Sequence, residues 1–312
     1  MPRLTIATRG SQLALWQANH IRDCLLAQNK DLTIELSVIH TKGDKILDVP
    51  LSQVGGKGLF VKEIEETLLS GEADLAVHSI KDVPMVLPEG LTLGAIPERA
   101  PFTDCLCSEK YASLDEVPEG ATVGTSSLRR QAQLLALRPD LNIVSLRGNV
   151  DTRLRKLKEG QFAAIVLATA GLRRLGLSAT HMTELDPKDF VPAVGQGALG
   201  IECRSNDAGT LELLARLNDS STRTCVEAER AFLLGLDGGC QVPIGAHAVL
   251  ADNGMVTLDG LVADTDGSKI LRRQATAPAA QAHDLGVSLA KELLGLGADA
   301  ILARLYGDGT IR

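Results

Sequence analysis

The chain has 312 residues, of which 45% are hydrophobic, 23% are charged and only 3% are aromatic, and its formal net charge is −7. This composition is typical of a globular chain whose cores are built from aliphatic side chains, and the length suggests two or three domains. The negative net charge argues against a general binder of nucleic acid or of anionic membranes.

The six cysteines are spread along the chain and form no CxxC pair. Cys105 and Cys107 are one residue apart, which suits one face of a strand better than a metal-binding turn. We therefore predict neither a disulfide framework nor a metal site, and we expect a reducing, cytoplasmic environment. The first residues run directly into a strand, and no signal peptide or membrane-spanning run is predicted.

The chain opens with a predicted buried strand at residues 4–8, a short turn and an amphipathic helix over residues 12–27. Ser11 is a suitable N-cap for that helix. Arg9 lies where the sheets of α/β proteins bind ligands, although an isolated arginine here is also compatible with a solvated surface position. Residues 33–39 alternate between apolar and polar and predict a second strand.

Residues 41–58 form a long, glycine-rich and charged stretch without apolar periodicity. Its GGKG sequence lacks the GxxxxGK[ST] spacing of a phosphate-binding loop, so we reject that interpretation. Long irregular segments in compact domains are often lids, and we predict a mobile loop that carries Lys57. A helix over residues 59–69 follows, and Gly71 is placed to end it.

A predicted buried strand at residues 75–79 leads directly into Ile80-Lys-Asp-Val-Pro84. Asp82 therefore lies at the carboxyl end of a strand, with Lys81 beside it. This pair is compatible with a salt-bridged surface turn, or with a carboxylate that acts on a bound cation or a proton. Residues 91–96 predict another strand, and residues 97–103 a crossover to a second lobe.

Residues 104–195 repeat the α/β rhythm, and three successive strand ends carry arginines. Cations at a helix N-terminus oppose the helix dipole, so two adjacent arginines there indicate a bound anion. The guanidinium fork suits carboxylates or phosphates, and we predict a cleft that collects several negative groups. The residues at these strand ends are Thr125, Ser127, Arg129 and Arg130, then Arg147, Asn149 and Arg153, then Arg173 and Arg174.

Residues 191–200, which include Gln196, predict a return crossover, and residues 201–204 a strand that re-enters the first lobe. This pattern predicts an α/β protein with two periplasmic-binding-protein-like lobes joined by a double crossover. The later residues predict a helix, three strands and a helical stretch broken at glycines, which together form a small C-terminal α+β domain. The predicted domains are 1–98 with 199–218, then 99–198, then 219–312.

The sequence Leu-Asp-Gly-Gly-Cys-Gln-Val-Pro-Ile-Gly places Cys240 behind two glycines and ahead of Pro243. Glycines allow tight backbone turns, and proline fixes its own φ angle, so the sulfur should lie on a rigid loop with little bulk around it. A nucleophile or an attachment point needs this arrangement. The alternative is a small buried core cysteine.

Eight motifs, in order from residue 7 to residue 245, resemble those of the porphobilinogen deaminase (hydroxymethylbilane synthase) family. They are ATRGSQLALWQA, GGKGLFVKEIE, HSIKDVP, GTSSLRRQ, LRGNVDTRL, AGLRRLG, PAVGQGALGIE and GGCQVPIG. The resemblance implies a cytoplasmic, monomeric transferase of tetrapyrrole and heme biosynthesis that joins four porphobilinogen molecules head to tail, releases ammonia, and frees hydroxymethylbilane with water.

The resemblance also implies a covalent dipyrromethane cofactor, attached to Cys240 through a thioether, and Asp82 as the catalytic carboxylate. We expect Asp82 to be a buried carboxylate that stabilises the cation left when ammonia departs. The implied cofactor-binding residues are Ser79, Lys81, Asp82, Thr125, Ser127, Arg129, Arg130 and Arg147. The implied substrate-binding residues are Arg9, Ser11, Gln17, Phe60, Arg147, Asn149, Arg153, Arg174 and Gln196. Phe60 is suited to stacking on a pyrrole ring or to packing in the core.

A non-enzymatic two-lobe module that binds an acidic metabolite is the alternative, because fold alone does not fix function. A periplasmic protein would need a signal peptide and a regulator a DNA-binding domain, and we predict neither. The alternative also leaves the Gly-Gly-Cys loop unexplained. Porphobilinogen is the expected small-molecule partner, with no metal, nucleic acid or membrane.

Overall fold

The computed structural model describes residues 3–41, 61–238 and 242–307. The chain divides into two compact units. The first contains the described residues up to Ala100 together with Ala198–Arg223, and the second contains Pro101–Gly197 and the described residues from Thr224 onward. Each unit is built around its own sheet or sheets, so each is described by itself.

The strands of the described residues are, in chain order, β1 (Arg3–Arg9), β2 (Thr33–Ile39), β3 (Leu75–Ser79), β4 (Leu91–Ala95), β5 (Asp104–Ser108), β6 (Thr122–Gly124), β7 (Asn142–Val144), β8 (Ala164–Ala168), β9 (His181–Glu184), β10 (Leu199–Arg204), β11 (Ile244–Leu250), β12 (Met255–Ala263) and β13 (Ile270–Pro278). The helices are α1 (Gln12–Gln28), α2 (Lys62–Ser70), α3 (Leu128–Leu137), α4 (Val150–Lys158), α5 (Thr169–Leu175), α6 (Ala208–Ala215), α7 (Ser220–Gly235), α8 (Ala282–Leu293) and α9 (Asp299–Gly307).

The first unit contains a five-stranded sheet with the order β2-β1-β3-β10-β4. Strand β1 runs parallel to β2 and β3, whereas β10 is antiparallel to both of its neighbours. Both faces of this sheet are covered. Ile6, Leu25 and Val77 belong to the core on one face, and Ile64 and Leu68 of α2 belong to the core on the other. Each such buried side chain contributes about 1.5–3 kcal/mol.

The second unit repeats this strand order in the sheet β7-β6-β8-β5-β9. Here β6 is parallel to β7 and β8, and β5 is the antiparallel strand between β8 and β9. Cys105 and Cys107 lie on one face of β5 with their sulfur atoms 3.8 Å apart, which confirms the strand interpretation of their spacing. Both thiols are buried among aliphatic side chains.

The second unit also contains the antiparallel sheet β11-β12-β13. Phe232 of α7 is fully buried, and a Cβ atom at Gly260 of β12 would lie 2.6 Å from its ring, so glycine makes room for the aromatic side chain. Leu261 and Ala263 share a core cluster with Ala132 of α3. This small sheet therefore packs against helix α3 of the same unit.

The predicted α/β class, the strand that re-enters the first sheet and the small C-terminal α+β region are all confirmed. Ser11 caps α1 by accepting from the Ala14 N–H, and Gly71 ends α2 with a φ angle of 79°. The C-terminal helical stretch is broken at Gly297, which has a φ angle of 99°. The short edge strand β9 was not predicted.

The boundaries of three domains stay a prediction, because the residues assigned to the second and third domains fall in one compact unit. Among the described residues, no helix has both the length and the apolar composition needed to cross a membrane.

Candidate active site

In the first unit, two predicted site residues follow neighbouring parallel strands. Arg9 ends β1 and Ser79 ends β3, so both lie at the carboxyl edge of the same sheet. Gln17, which is buried on α1, donates from Nε2 to the Ser79 hydroxyl at 2.9 Å. The capping of α1 by Ser11 fixes the start of the helix beside this edge. The structure thus brings Arg9, Ser11, Gln17 and Ser79 to one end of the sheet.

Asp82 lies in the single 3₁₀ turn Ile80–Asp82 that follows β3. The turn is anchored by the fully buried Ile80, whose N–H donates to the Ala198 carbonyl at 3.0 Å. Lys81 is half-buried and Asp82 is exposed. The expectation of a buried carboxylate is therefore wrong. The turn projects Asp82 from the strand end, while the buried residue beside it holds the backbone in place.

In the second unit, β6, β7 and β8 are parallel, so the arginines that follow them share one edge of the sheet. Ser127 caps α3 by accepting from the Arg130 N–H, and Thr125 is buried at the end of β6. Arg129 and Arg130 follow in the first turn of α3. Unexpectedly, both guanidinium groups are directed inward, with exposures of only 3% and 6%.

The two buried arginines share one carboxylate, that of Asp104, the first residue of β5. Arg129 Nη1 donates to Asp104 Oδ2 at 2.7 Å, and Arg130 Nε donates to Oδ1 at 2.9 Å. Burial disfavours the charged carboxylate, but the two guanidinium charges and their hydrogen bonds outweigh it and hold the pKa of Asp104 well below its usual range. Burial lowers the pKa of Arg129, which nevertheless stays charged because arginine does not deprotonate in proteins.

Gln196 joins the same cluster from the segment that leads back to β10. Its Nε2 donates to the Phe102 carbonyl at 2.7 Å and to Asp104 Oδ1 at 3.1 Å. The sequence interpretation placed Gln196 among the binding residues but did not identify Asp104. The sequence did contain a signal for Asp104, because a single carboxylate at the start of the apolar strand Asp-Cys-Leu-Cys indicates a buried ionic partner.

The remaining predicted residues of this edge lie on the next two strand–helix connections. Gly148 has a φ angle of 119°, and this turn positions Arg147 and the exposed Asn149. Arg153 Nε donates to the Gly148 carbonyl at 2.7 Å and so braces the turn. Arg174 of α5 donates to the Gly197 carbonyl at 2.8 Å, and burial lowers its pKa to about 10.

The predicted residues Lys57, Phe60 and Cys240 lie outside the described residues. The chain on either side of Cys240 is closely packed. A Cβ atom at Gly238 would lie 2.6 Å from Leu233 Cδ1, and one at Gly245 would lie 3.1 Å from the Pro192 carbonyl oxygen. Close packing explains why these two positions are glycine.

A buried carboxylate braces this region of the second unit. Glu229 of α7 accepts from the Gly195 N–H at 2.6 Å and from the Ala248 N–H at 2.8 Å. It therefore ties the segment before β10 to β11. Within the part of the chain that the structure describes, no group of three or more His, Cys, Asp or Glu side chains is arranged to hold a metal ion.

Two family models match the chain. The model described as porphobilinogen deaminase, dipyromethane cofactor binding domain, matches residues 4–212, and the model described as porphobilinogen deaminase, C-terminal domain, matches residues 223–295.

Curated relatives named porphobilinogen deaminase align with nearly the full chain. The protein of Nitratidesulfovibrio vulgaris (strain DSM 19637 / Miyazaki F) is 62% identical, with 99% of each chain covered. That of Maridesulfovibrio salexigens is 60% identical, with 98% of this chain and 99% of the relative covered. Among solved structures, the periplasmic aliphatic sulphonate binding protein SsuA from Escherichia coli is 14% identical, with 76% of this chain and 71% of that chain covered and a TM-score of 0.41.

Proposed function

The chain belongs to the porphobilinogen deaminase family, and from this premise we propose how its residues carry out the family's reaction. The enzyme is a transferase of tetrapyrrole and heme biosynthesis. It joins four porphobilinogen molecules head to tail with loss of ammonia on a covalent dipyrromethane primer, and water then releases hydroxymethylbilane. The family matches favour this enzyme over the non-enzymatic binding module that the sequence left open.

The observation that carries the proposal is the set of arginines at one edge of the second sheet. Every porphobilinogen unit brings an acetate and a propionate, so each addition adds two carboxylates to the growing chain. Arg129, Arg130, Arg147 and Arg174 follow three parallel strands and lie in the same unit. Charge-assisted pairs between arginine and carboxylate contribute about 1.5–3 kcal/mol each, which is enough for several such pairs to hold a multiply charged chain.

The donor set also fits the dipyrromethane cofactor, whose two rings carry four carboxylates. The buried trio of Arg129, Arg130 and Asp104 has two positive charges and one negative charge, so one positive charge remains to be balanced. Arg147 adds a further cation at the next strand end. The residues that would hold the cofactor are Ser79, Lys81, Asp82, Thr125, Ser127, Arg129, Arg130 and Arg147. When bound, the cofactor supplies the pyrrole carbon on which the product chain is started.

We assign the catalytic carboxylate to Asp82. Loss of ammonia from porphobilinogen leaves a cationic carbon, and a fixed carboxylate lowers the energy of this charge as it develops. The same group accepts a proton from the pyrrole ring that is joined. The exposure of Asp82 is compatible with this role, because a substrate must be able to reach it. Arg9, Ser11, Gln17, Phe60, Arg147, Asn149, Arg153, Arg174 and Gln196 would bind the substrate chain, and Lys57 would belong to a mobile loop.

The decisive experiment is an intact-mass measurement of the purified protein. We assign the attachment of the cofactor to the Cys240 thiol through a thioether, so the protein should weigh more than its sequence by one dipyrromethane unit. This added mass should survive denaturation and reductants. Addition of porphobilinogen should produce heavier species spaced by one deaminated pyrrole unit.

Cys240→Ala should remove the added mass and abolish activity. Cys24→Ala is the matched control, because Cys24 is a free, half-buried thiol on α1 and its loss should leave the mass addition unchanged. An active wild-type enzyme whose mass equals that of its sequence would contradict the proposal.

The cytoplasmic location, the monomeric state and the lack of nucleic-acid and membrane partners also belong to this proposal. The net charge of −7 argues against nucleic-acid and anionic-membrane partners, and the five free cysteines of the described residues are compatible with a reducing environment such as the cytoplasm.

A further inference from the structure

Asp104 is the most completely engaged carboxylate of the arginine cluster, and the reaction as described gives it no part. Its side chain has no exposed surface, and both of its oxygens accept from buried donors. Oδ1 accepts from Arg130 and from Gln196 Nε2, and Oδ2 accepts from Arg129. A carboxylate in such a position has no direct route to substrate, so any influence on the reaction must act through its partners.

Asp104 and two backbone carbonyls fix the orientation of both guanidinium groups. Arg129 Nη1 donates to the Val191 carbonyl as well as to Asp104, both at 2.7 Å. Arg130 donates from Nη1 to the Val166 carbonyl at 2.9 Å, while its Nε and Nη2 bond to Asp104. Two cations held this close repel each other in a buried site, and the shared carboxylate offsets that repulsion.

We propose that Asp104 is a positioning residue for cofactor assembly, which sets both the orientation and the net charge of Arg129 and Arg130. The inference rests on the proposed function, in which these arginines receive carboxylates. With Asp104 in place, the trio presents one positive charge in a fixed geometry. Without Asp104, the two arginines present two positive charges. Each guanidinium group can then turn away from the orientation in which it binds a carboxylate of the cofactor.

The test is the rate at which the unloaded full-length chain acquires dipyrromethane. Wild-type protein and Asp104→Asn would be purified from a host that cannot make porphobilinogen, and intact mass would be followed after porphobilinogen is added. We expect loading of Asp104→Asn to be slower by roughly tenfold to a hundredfold, as is typical when a binding group is misplaced by about an ångström. Far-UV circular dichroism should show that both chains are folded.

Asp259→Asn is the matched control. Asp259 accepts from Arg272 Nε at 2.9 Å, and Arg272 also donates to the Pro187 carbonyl, so this pair has the same chemistry in the same unit. The control should lower the melting temperature without slowing mass gain. Equal slowing in both variants would show a general loss of stability and would overturn the proposal.

Asp104→Glu is the second variant, because it keeps the negative charge but moves the carboxylate by one methylene. Slow loading by this folded variant would support a positioning role. Loading of Asp104→Asn or Asp104→Glu at the wild-type rate would overturn it, as would failure of both variants to fold, which would make Asp104 a folding residue only. If the wild-type chain itself gains no mass, the proposed function fails instead.

Discussion

In the first sheet the inserted antiparallel strand β10 begins with Leu199, whereas in the second sheet the equivalent strand β5 begins with Asp104. The backbone pairing at these two residues follows the same pattern. Leu199 is paired with Ser79 at the end of β3, and Asp104 with Ala168 at the end of β8. In both sheets, the residue just before the inserted strand accepts a hydrogen bond from the residue just after the neighbouring strand.

The two sheets differ in what the side chains add to this shared edge. In the first, Leu199 packs in the core and the carboxylate of Asp82 projects from the following turn into solvent. In the second, the carboxylate of Asp104 points inward and holds two arginines. The fold therefore supplies the edge, and the sequence decides whether a carboxylate there is available to substrate or is used to orient cations.

A second contrast concerns the ionic cluster inside the first sheet. Glu202 of β10 lies 3.0 Å from His78 Nε2, and Glu65 of α2 is buried near this pair. Burial and the charge of Glu202 raise the pKa of Glu65, although His78 opposes this effect. The first unit thus contains a carboxyl group, Glu65 of α2, whose protonation is favoured, and the second unit contains one, Asp104, whose ionisation is favoured.

The largest effect, a loss of turnover, is expected when the exposed carboxylate of Asp82 is replaced. Asp82→Asn keeps the shape of the side chain but removes its charge, so turnover should fall by roughly a hundredfold or more. Because Asp82 is exposed, the urea midpoint should stay near that of the wild type. Steady-state kinetics and urea unfolding of the same sample check both statements. Near-normal turnover would place the catalytic role at another residue.

Replacing the buried carboxylate of Asp104 should, in contrast, lower the stability of the protein towards urea. Removing one partner of a buried ion pair costs about 3–5 kcal/mol, so Asp104→Asn should unfold at a clearly lower urea concentration than the wild type. The pKa of Asp104 is depressed in the folded state, so its contribution is present above the unfolded pKa of about 3.9 and is lost as the pH falls through the folded value.

The difference between wild type and Asp104→Asn should therefore stay constant from pH 7 down to about pH 5 and shrink at lower pH. Urea unfolding at several pH values measures it. A difference that already shrinks between pH 7 and pH 5 would mean that Asp104 titrates there and is not held ionised by the arginines.

The smallest effect, a change in the pH dependence of stability, is expected when Glu65 is replaced. Its pKa is raised in the folded state, so its contribution to stability is complete below the unfolded pKa of about 4.3 and is lost as the pH rises through the folded value. Glu65→Gln mimics the protonated form and should remove this loss. The variant should therefore gain stability relative to the wild type as the pH rises from 5 to 8.

Urea midpoints between pH 5 and pH 8 provide the measurement for Glu65. Asp104→Asn serves as the reference, because its difference from the wild type should not change in that range. A Glu65→Gln variant that loses stability equally at every pH would show that Glu65 is needed in its charged form.

Much of this architecture was predictable because the strands alternate regularly and their ends carry turn residues. Residues 33–39 and 75–79 were predicted with the bounds that the structure shows. The edge strand β9 escaped prediction because it has only four residues and half of them are exposed. The exposure of Asp82 and the pairing of Asp104 escaped it because both depend on packing between segments far apart in the chain. Arg129 and Arg130 were found by their position at a helix start, but nothing local shows that their guanidinium groups share an internal carboxylate.

The insertion of β10 has a consequence for the order in which the protein is made. All five strands of the second sheet lie between residues 104 and 184, whereas the first sheet needs residues 199–204 to fill the gap between β3 and β4. When residue 184 has left the ribosome, all strands of the second sheet are available to pair. At that stage β3 and β4 of the first sheet still lack their partner β10. We therefore expect the first sheet to be completed after the second, with the open edges of β3 and β4 exposed to unwanted pairing until β10 is made.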